Sequence, residues 1–577
     1  PLSSLGTHIS YMNEHTLDVL VIGAGAAGAR AAIELQSRDK EIDQLVVGKQ
    51  DYGDAHTTWA RGGINAALGT LDWQDRWEIH AADTINEGHH ICDPTAVEMV
   101  TEQMPERVNE LSDWGMDFTE TEDELINQRY FGAQSFRRTC YAGDHTGESM
   151  LDTLVDKAQS LDIPYRERLY IERLLTTQDG RAYGAVGFDM ETGERERFVA
   201  EHIILATGGY AGAYGRHSSR DNENNGDSVR LAYDAGAGVQ DMEFVQFHPT
   251  GMSGYGDEWD GRLVTEAVRG EGGKLYNSEG HRFMEDYSPK QMELDARDVV
   301  ARAIQSEIDA GRGTENGAVL LDISHREREF IEEHLPRMFE RFQSLGVDLS
   351  EEPVEVAPTS HYSMGGVKVD WETGETTVDN LYAIGEAAAG LHGANRLGGN
   401  SLAETVAMGT TVGEEIHSRL GSSDKEPHPD EELGAIEAGP VRSHDIPAIQ
   451  QKLRNLLDEC ANLARTESEL ESAKIRIDKL RGIIQSIIPE TTGDYEQYWN
   501  TRSMVVAGSL IIRFALERDE SRGAHYRLDA TDTDEQQRHN LVKKRPGRIL
   551  EEEVGDVPEG VQQALDEEHE LDYVQLE

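Results

Sequence analysis

The sequence predicts an α/β fold in which a doubly wound, Rossmann-like nucleotide-binding domain is interrupted by a mobile α+β capping domain and followed by a C-terminal helical domain. An apolar strand that runs directly into a glycine-rich turn and an Ala-rich helix occupies residues 18–32. Two further apolar strands occupy residues 202–209 and 380–388, and helical periodicity extends over residues 446–488 and 499–518. Because strands of one nucleotide-binding sheet lie so far apart in the chain, an insertion must separate them.

Changes in composition set the boundaries of these domains. The segment between the second and third strands is dense in His, Arg and Glu, and we expect it to act as a lid. An acidic linker rich in Pro and Gly, residues 422–440, precedes the helical part. The predicted units are a discontinuous nucleotide-binding domain at 1–243 and 360–420, a capping domain at 244–359, a helical domain at 421–530 and a C-terminal tail at 531–577.

The first strand is followed by the glycine turn that a dinucleotide pyrophosphate requires. Gly23 and Gly25 allow a tight turn and close backbone approach, and Gly28 lets the following helix pack on the strand. The phosphates are expected at the N-terminus of that helix. The second strand, residues 44–50, ends in Lys49 instead of the acidic residue that binds a ribose, which disfavours a simple NAD site.

The chain is strongly acidic. It carries 109 Asp and Glu against 54 Lys and Arg, a formal net charge of -55 over 577 residues. A uniformly acidic, lysine-poor surface indicates a halophile-like source, where high salt screens the self-repulsion. The same charge disfavours nucleic acid as a partner.

The cysteines are too far apart to hold a metal centre. Cys92, Cys140 and Cys460 form no Cys-x-x-Cys pair, so we expect no disulfide framework, no zinc site and no iron–sulphur site in this chain. Any metal-centre electron carrier would therefore belong to another chain. No signal-peptide pattern and no membrane-spanning apolar run are present, so we expect a soluble, cytoplasmic chain.

Several motifs carry side chains that bind anions. QFHPTG, RLVTEAVRGEGG, DARDVVARA, SHYSMGG and LHGANRLGGNS supply His248, Thr265, Glu266, Arg269, Arg297, His361 and Arg396. A lone His or Arg more often has a structural role. Together, histidines, arginines and a threonine flanked by glycines predict a pocket for a small dianion, because guanidinium groups bind carboxylates bidentately.

These motifs together resemble the flavoprotein subunit of succinate dehydrogenase and fumarate reductase. The resemblance runs in order over residues 17–529 and is carried by AHTTWARGGINAALG, FGAQS, ATGG, QFHPTG, LVTEAVRGEGG, ARDVVARA, SHYSMGG, AIGEAA, HGANRLGGNSL and ESRGAHYR. It implies an FAD-binding domain, with FAD joined covalently to His56. The other residues that it implies for FAD binding are Gly23, Gly25, Gly28, Lys49, Thr57, Gly62, Gly63, Thr207, Gly208, Asp227, Glu386, Ser401 and Leu402.

The resemblance also implies a substrate and a reaction. A dicarboxylate would be held by His248, Thr265, His361 and Arg396, with Phe131 near the same cavity. Arg297 would donate and accept the proton, with Glu266 on the proton path, while the flavin exchanges a hydride with the other carbon. Electrons would pass to a separate iron–sulphur subunit, with membrane anchor subunits beyond it. The chain would then lie peripherally on the cytoplasmic face of the cell membrane.

Two alternatives stay open. L-Aspartate oxidase shares several of the motifs and has a similarly compact helical tail, but His56 and the Gly398–Gly399 pair favour the succinate/fumarate interpretation. A flavin-binding scaffold without catalysis is disfavoured because every pocket residue is retained. Three departures from the family pattern are Gly48 and Ala55, where it usually has Ser, and Arg61, where it has Gln or Glu. Arg61 leaves the physiological direction of the reaction open.

Overall fold

The computed structural model describes residues 13–256, 258–421, 445–489, 491–542 and 547–567. The predicted linker at 422–440 lies outside these ranges. The strands, in chain order, are β1 (Asn13–Ile22), β2 (Gln44–Val47), β3 (Ile64–Asn65), β4 (Gln128–Arg129), β5 (Thr139–Cys140), β6 (Tyr165–Arg166), β7 (Leu169–Thr176), β8 (Ala182–Asp189), β9 (Arg195–Leu205), β10 (Val239–Gln240), β11 (Val245–Met252), β12 (Lys274–Tyr276), β13 (Val319–Asp322), β14 (Val354–Ser363), β15 (Gly366–Val367), β16 (Leu381–Ala383), β17 (Arg538–Val542) and β18 (Ile549–Glu553).

Helices alternate with these strands in the first part of the chain and dominate after residue 400. They are α1 (Ala26–Arg38), α2 (Trp77–Glu87), α3 (Pro94–Asp113), α4 (Thr146–Ser160), α5 (Asp227–Ala235), α6 (Ala267–Gly270), α7 (Met284–Tyr287), α8 (Arg297–Glu307), α9 (Arg328–His334), α10 (Pro336–Ser344), α11 (Asn400–Arg419), α12 (Ile446–Cys460), α13 (Glu467–Ile484), α14 (Thr492–Glu517) and α15 (Glu559–Asp566).

The three widely separated apolar strands lie side by side in one sheet. The order is β6-β2-β1-β9-β8-β7, with β16 paired to β9. β1 pairs in parallel with β2 and β9, and β16 pairs in parallel with β9. Val19, Leu20 and Val21 at the centre of β1 are fully buried, as the continuous apolar run of a parallel strand requires. The α/β fold class that the sequence predicts is confirmed.

The insertion between β9 and β16 forms a second sheet with a hydrophobic core of its own. This capping sheet has the antiparallel order β11-β14-β13-β12. Its core includes Val264, Phe283, Ile304 and Phe342, all fully buried. β11 and β14 are the first and last strands of the capping sheet in chain order and pair with each other, so they connect the cap to the central domain at one place.

The helical part is more divided than its sequence periodicity indicates. The predicted run over residues 446–488 is two helices, because α12 ends at Cys460 and Thr466 caps the start of α13 through its side chain. α14 begins at Thr492, ahead of the predicted start at Trp499, at a capping box formed by Thr491 and Asp494. All three helices share one buried core.

The C-terminal tail contributes to the fold. β17 and β18 form a hairpin that extends a small sheet with the order β15-β10-β17-β18, and α15 packs on α2. Its charged strands carry little hydrophobic alternation, which is why the sequence predicts no strand there. In the described ranges no helix could cross a membrane, and no group of three or more His, Cys, Asp or Glu residues is arranged to hold a metal ion. The cysteines, all within the described ranges, are buried and form no disulfide.

Candidate functional site

A cavity of about 460 Å³ extends from the glycine turn after β1 to strand β11 of the capping sheet. It brings together predicted residues from segments spread over the whole first part of the chain. The predicted cofactor residues in its wall are Gly23, Gly25, Lys49, His56, Thr57, Gly62, Gly63, Thr207, Gly208, Asp227, Glu386, Ser401 and Leu402. The predicted substrate residues in its wall are Phe131, His248, Thr265, Glu266, Arg297, His361 and Arg396.

Two predicted residues do not line the cavity: Arg269, which lies behind Glu266, and Gly28. A Cβ atom there would lie 2.0 Å from the Gly23 carbonyl oxygen, so this glycine packs α1 against the turn. Gly23 itself has φ +113° and backs onto Ala206, whose carbonyl oxygen would lie 2.2 Å from an added Cβ. A side chain at either position would push the turn out of place, and the turn is shaped as a phosphate-binding backbone requires.

A buried polar group closes the end of the cavity beyond the glycine turn. The Lys49 ammonium donates to Asp227 at 2.8 Å, and the same carboxylate accepts from the hydroxyls of Tyr170 at 2.7 Å and Ser503 at 2.6 Å. Burial raises the pKa of Asp227, but the Lys49 charge and these bonds outweigh it and lower the pKa below its usual value. Ser503 lies on α14, so the helical part contributes to this site.

His56 begins a short 3-10 turn at His56–Trp59 and faces the middle of the cavity. Its Nδ1 atom is buried and has no hydrogen-bond partner among the described residues. Burial and the positive charge of Arg220 lower the pKa of its imidazole to about 4. The ring is therefore neutral at physiological pH, which is the nucleophilic form.

Glu386 and Thr207 also line the cavity. One Glu386 carboxylate oxygen accepts from the backbone N–H and the hydroxyl of Ser363, both at 3.0 Å. Burial raises the pKa of Glu386 to about 7. The Thr207 hydroxyl is held 2.6 Å from that of Ser228 at the start of α5. The glycine turn, the Lys49–Asp227 pair and these residues fit FAD, because they offer a phosphate-binding turn, polar partners beyond it and a buried imidazole with an unpartnered Nδ1 at His56.

The inner end of the cavity is built around two arginines. Arg297, the first residue of α8, donates through Nε and one terminal nitrogen to a single Glu266 oxygen at 2.9 and 2.7 Å. Its other terminal nitrogen donates to Gln246 Oε1 at 3.0 Å. Arg396 donates to the same Gln246 oxygen at 3.0 Å. Both guanidinium groups are therefore oriented by one amide.

Glu266, an anion at rest, holds Arg297 in place. Its second oxygen accepts from the Gly132 N–H at 3.1 Å, and Arg269 lies 3.8 Å away. Although burial raises the pKa of this carboxyl, the charges of Arg297 and Arg269 outweigh it and lower the pKa to about 2. The row Arg269–Glu266–Arg297 thus runs from the interior of the cap to the cavity.

Two neutral histidines complete the inner wall, with ring centroids 5.3 Å apart. The Thr250 N–H donates to Nδ1 of His248 at 3.2 Å, so the proton of the neutral ring is on Nε2. His361 Nδ1 lies 2.7 Å from the Ser218 hydroxyl. Burial and the nearby arginines hold the pKa of both rings well below the usual value.

The inner end has the charge and shape for a small dianion. Arg396 stacks on the Tyr362 ring at 4.3 Å, and its Nε atom is buried without a hydrogen-bond partner among the described residues. Burial and Arg297 lower the pKa of Arg396 to about 9, so it still carries its charge at neutral pH. Thr265 and Phe131 are buried beside it. Two cations and two neutral imidazole rings line a space whose wall also carries the Glu266 anion.

Sequence reasoning missed the residues that orient the predicted ones. Gln246 stands inside the QFHPTG motif and Tyr362 inside SHYSMGG, so their position in these motifs could have identified them as residues of the site. Ser218 and Ser503 lie in segments with no recognisable pattern. The cavity wall also includes Arg61, Arg262 and Arg341. Arg61 stands out as a departure from the family pattern and Arg262 opens the RLVTEAVRGEGG motif, whereas Arg341 lies in no motif.

Comparisons with known proteins agree with this geometry. A family model described as FAD binding domain matches residues 18–402, and one described as fumarate reductase flavoprotein C-term matches residues 450–554. A fumarate reductase (CoM/CoB) subunit of Methanothermobacter marburgensis is 41% identical, covering 92% of this chain and 97% of that relative. The succinate dehydrogenase flavoprotein subunit of Coxiella burnetii is 35% identical, covering 94% and 97%.

L-Aspartate oxidase of Yersinia pestis is similarly related, at 36% identity over 90% of this chain and 97% of the relative. Among solved structures, quinol fumarate reductase of E. coli superposes with a TM-score of 0.87 at 29% identity, covering 95% of this chain and 98% of that chain. The likeness therefore spans the nucleotide-binding, capping and helical parts together.

Proposed function

We propose, from the premise that this chain belongs to the FAD-dependent flavoprotein family of succinate dehydrogenases and fumarate reductases, that it interconverts succinate and fumarate. The observation that carries the proposal is the inner end of the cavity, where Arg297 and Arg396 are held by one amide oxygen of Gln246. Two fixed cations beside two neutral histidines match a four-carbon dianion.

The chain's own residues would bind the two carboxylates differently. Arg396 and His361 hold one carboxylate, and His248 donates its Nε2 proton to the other, near the Thr265 hydroxyl. Because His248 and His361 are neutral, they orient the substrate by hydrogen bonds without adding charge. Stacking on Tyr362 fixes the plane of Arg396, so its N–H groups can polarise a carboxylate in one direction.

Proton transfer is assigned to Arg297. FAD, when bound, supplies the hydride acceptor or donor for one methylene carbon. Arg297 donates or accepts a proton at the adjacent carbon, and its position between Glu266 and Gln246 leaves little room for reorganisation. In fumarate reduction Arg297 gives its proton to the substrate carbon; in succinate oxidation it must first pass a proton to Glu266, which is ionised at rest with a pKa of about 2, before it can accept one.

The environment of Phe131 favours succinate over L-aspartate. An α-ammonium group needs an acceptor, and Glu266 at the inner end already accepts from Arg297 and the Gly132 N–H. Phe131 offers an apolar ring at the same place. L-Aspartate oxidation stays the second candidate because a relative of that activity is 36% identical over 90% of this chain.

Electrons are proposed to leave through a separate iron–sulphur subunit, with membrane anchor subunits beyond it, which would place this chain on the cytoplasmic face of the membrane. The support is that two of the relatives are themselves subunits of larger enzymes. Affinity purification of the tagged chain from native membranes should recover an iron–sulphur protein. Recovery of a single chain that turns over freely with oxygen would favour an oxidase instead.

The test of the reaction is anaerobic reduction of the purified flavoprotein by succinate compared with L-aspartate. We expect succinate to bleach the flavin absorbance and L-aspartate to leave it unchanged. Arg396→Gln should lose the response, whereas Arg328→Gln, which removes a surface arginine of the cap paired with Glu332 and Asp348 outside the cavity, should keep it. Bleaching by L-aspartate alone would establish the oxidase, and bleaching by neither would support the scaffold.

A further inference from the structure

Three arginines outside the inner site line the same cavity. Arg61 follows the His56 turn, Arg262 precedes the TEAVRGEGG motif, and Arg341 lies on α10 of the cap. All three are half-buried, while Arg297 and Arg396 of the inner site are buried, and Glu258 in the same part of the wall is exposed. These three residues, the outer arginine cluster, therefore lie where the cavity opens to solvent.

The charges of the outer arginine cluster are incompletely neutralised. Arg262 donates through Nε to the Glu258 carbonyl at 3.0 Å, and Arg341 donates to the Leu263 carbonyl at 3.5 Å. The NH1 atoms of Arg262 and Arg61 are buried without a hydrogen-bond partner among the described residues. Backbone carbonyls satisfy N–H groups but cancel no net charge, so the cluster keeps its positive field.

The nearest acidic groups offset the charge of the cluster only in part. Glu148 lies 3.9 Å from Arg61 but only 3.1 Å from Arg337. Asp144, which accepts from two backbone amides of α10, is one carboxylate facing both Arg61 and Arg341. Asp221 and the Glu258 carboxylate face Arg262 at longer range. Burial, together with Arg61 and Arg262, lowers the pKa of Arg341 to about 10, which still leaves it charged at neutral pH.

Tryptophan rings lie beside two members of the cluster, closely at Arg262 and at longer range at Arg341. Arg262 lies 4.1 Å from the centroid of the Trp59 ring, and Arg341 lies 5.9 Å from that of Trp259. A stacked guanidinium keeps its N–H edge available for an oxyanion while its face is covered. The cluster therefore offers preoriented donors that no described side chain uses.

The need for such a cluster follows from the charge of the whole chain. A net charge of -55 repels a dianion from most of the surface. We infer that Arg61, Arg262 and Arg341 form a capture site at the cavity mouth, which binds a carboxylate of the incoming dicarboxylate before it reaches Arg396. This inference rests on the proposed function: it adds a step in which the substrate enters the cavity and leaves the proposed reaction unchanged.

The test measures how fast a dicarboxylate enters the holoenzyme. Malonate, which cannot be oxidised across a two-carbon unit, is mixed with the FAD-loaded protein in a stopped-flow instrument, and the shift in flavin absorbance reports binding. Arg262→Gln and Arg341→Gln should each lower the association rate constant about tenfold at low salt, with the dissociation rate constant unchanged. In molar potassium chloride the difference should vanish, because salt screens the capture field.

Controls separate charge from structure. Arg328→Gln changes the net charge by the same amount at a surface site of the cap and should bind malonate at the wild-type rate. Arg262→Lys should recover most of the association rate, because capture depends on the positive charge more than on the bidentate geometry of a guanidinium. This variant keeps the test usable even if the glutamine variants lose FAD. Far-UV circular dichroism and the FAD content per chain report whether each variant is folded.

Three results would overturn the inference. One is an association rate in the glutamine variants equal to that of Arg328→Gln. Another is a rise in the dissociation rate alone, which would make the cluster part of the bound-state site. The third is a wild-type flavin spectrum that responds to neither malonate nor succinate, which would remove the proposed function together with the capture step. If succinate reduces the flavin normally but the glutamine variants bind malonate at the wild-type rate, only the capture step is removed.

Discussion

Arg297 shows how one residue can be both rigid and reactive. Three of its nitrogens are occupied, two by one Glu266 oxygen and one by Gln246. A lysine at this position could reach one of these acceptors but not both, and its ammonium would not keep a fixed direction. We therefore expect Arg297→Lys to bind FAD and dicarboxylate but to lose about 10³-fold in turnover.

The measurement is steady-state fumarate reduction with a strong artificial donor, alongside dicarboxylate titration of the flavin absorbance. Loss of kcat with an unchanged binding constant supports the proton-transfer assignment. If turnover stayed near the wild-type value, another group, such as Arg302 further along α8, which pairs with Asp298 at 2.8 Å, would carry the proton.

His56 is predicted to be bonded through a ring nitrogen to the FAD 8α-methyl carbon. A pKa of about 4 keeps its imidazole neutral and nucleophilic throughout the physiological range, and the buried Nδ1 has no competing partner among the described residues. The acid-denatured chain should carry flavin fluorescence on a gel, and His56→Ser should not. The serine variant should still bind FAD and reduce fumarate but oxidise succinate poorly, because the electron-withdrawing substituent is lost.

A wild-type chain whose flavin washes off completely in acid would exclude the covalent bond and strengthen the L-aspartate oxidase alternative. Thr57 offers a matched control, since its hydroxyl accepts from the Ala26 N–H at 3.2 Å and supplies no nucleophilic ring. Thr57→Ser should therefore keep whatever attachment the wild-type chain has.

Motifs predicted which residues meet, but not what orients them. The sequence could identify five residues of the site because each stands in a motif rich in ionisable side chains: His248, Glu266, Arg297, His361 and Arg396. The fold brings all five to one cavity. The role of the Gln246 amide depends on two arginines that are distant in sequence. No local pattern encodes such a contact, so only the tertiary structure could reveal it.

At the scale of elements, sequence periodicity located helices better than it located their ends. Helix α2 begins at Trp77, and Trp73, four residues earlier, is 81% exposed in the preceding loop. That loop is held by Asp75, which binds the buried guanidinium of Arg138 at 2.9 Å. A long-range ion pair of this kind outweighs the local helix propensity of the residues around it and is invisible to periodicity.

Helix α10 carries Arg341, and a residue of the central domain caps it. Asp144 accepts from the N–H groups of Arg337 and Met338 at 3.0 and 3.2 Å, although it lies far away in sequence. We propose that the cap moves as a unit and that the hydrogen bonds of this carboxylate stabilise its closed position. Asp144→Ala should cost about 1 kcal/mol of helix stability and raise KM for the dicarboxylate, because the cap opens more often.

Hydrogen exchange of the α10 backbone amides measures directly how often the contact between Asp144 and α10 opens. Asp152→Ala, at an exposed position of the adjacent helix α4, removes the same charge without touching the cap and should leave exchange unchanged. Equal exchange rates in the two variants would show that Asp144 does not hold the cap.

At the scale of the whole molecule, the central sheet could be predicted because its strands are uniformly apolar. The segments 18–22, 202–205 and 381–383 pair in parallel although long insertions separate them in sequence. The tail hairpin could not be predicted, since Ile549–Glu553 is a strand with one buried residue followed by four exposed acidic or apolar ones. Its place is set by the pairing of its partner strand β17 with β10, which is a tertiary contact.

The surface charge leads to a prediction about salt. With 109 acidic and 54 basic residues, repulsion between exposed carboxylates opposes folding, and the screening length shortens from about 10 Å at 0.1 M to about 3 Å at 1 M salt. Buried pairs such as Arg138 with Asp75 and Asp83 are fully or nearly excluded from solvent and are screened far less. The thermal midpoint should therefore rise from low to molar potassium chloride, whereas sucrose of equal osmotic strength should reproduce only part of the rise. A midpoint that stays flat between low and molar salt would mean that the acidic surface is accommodated without screening.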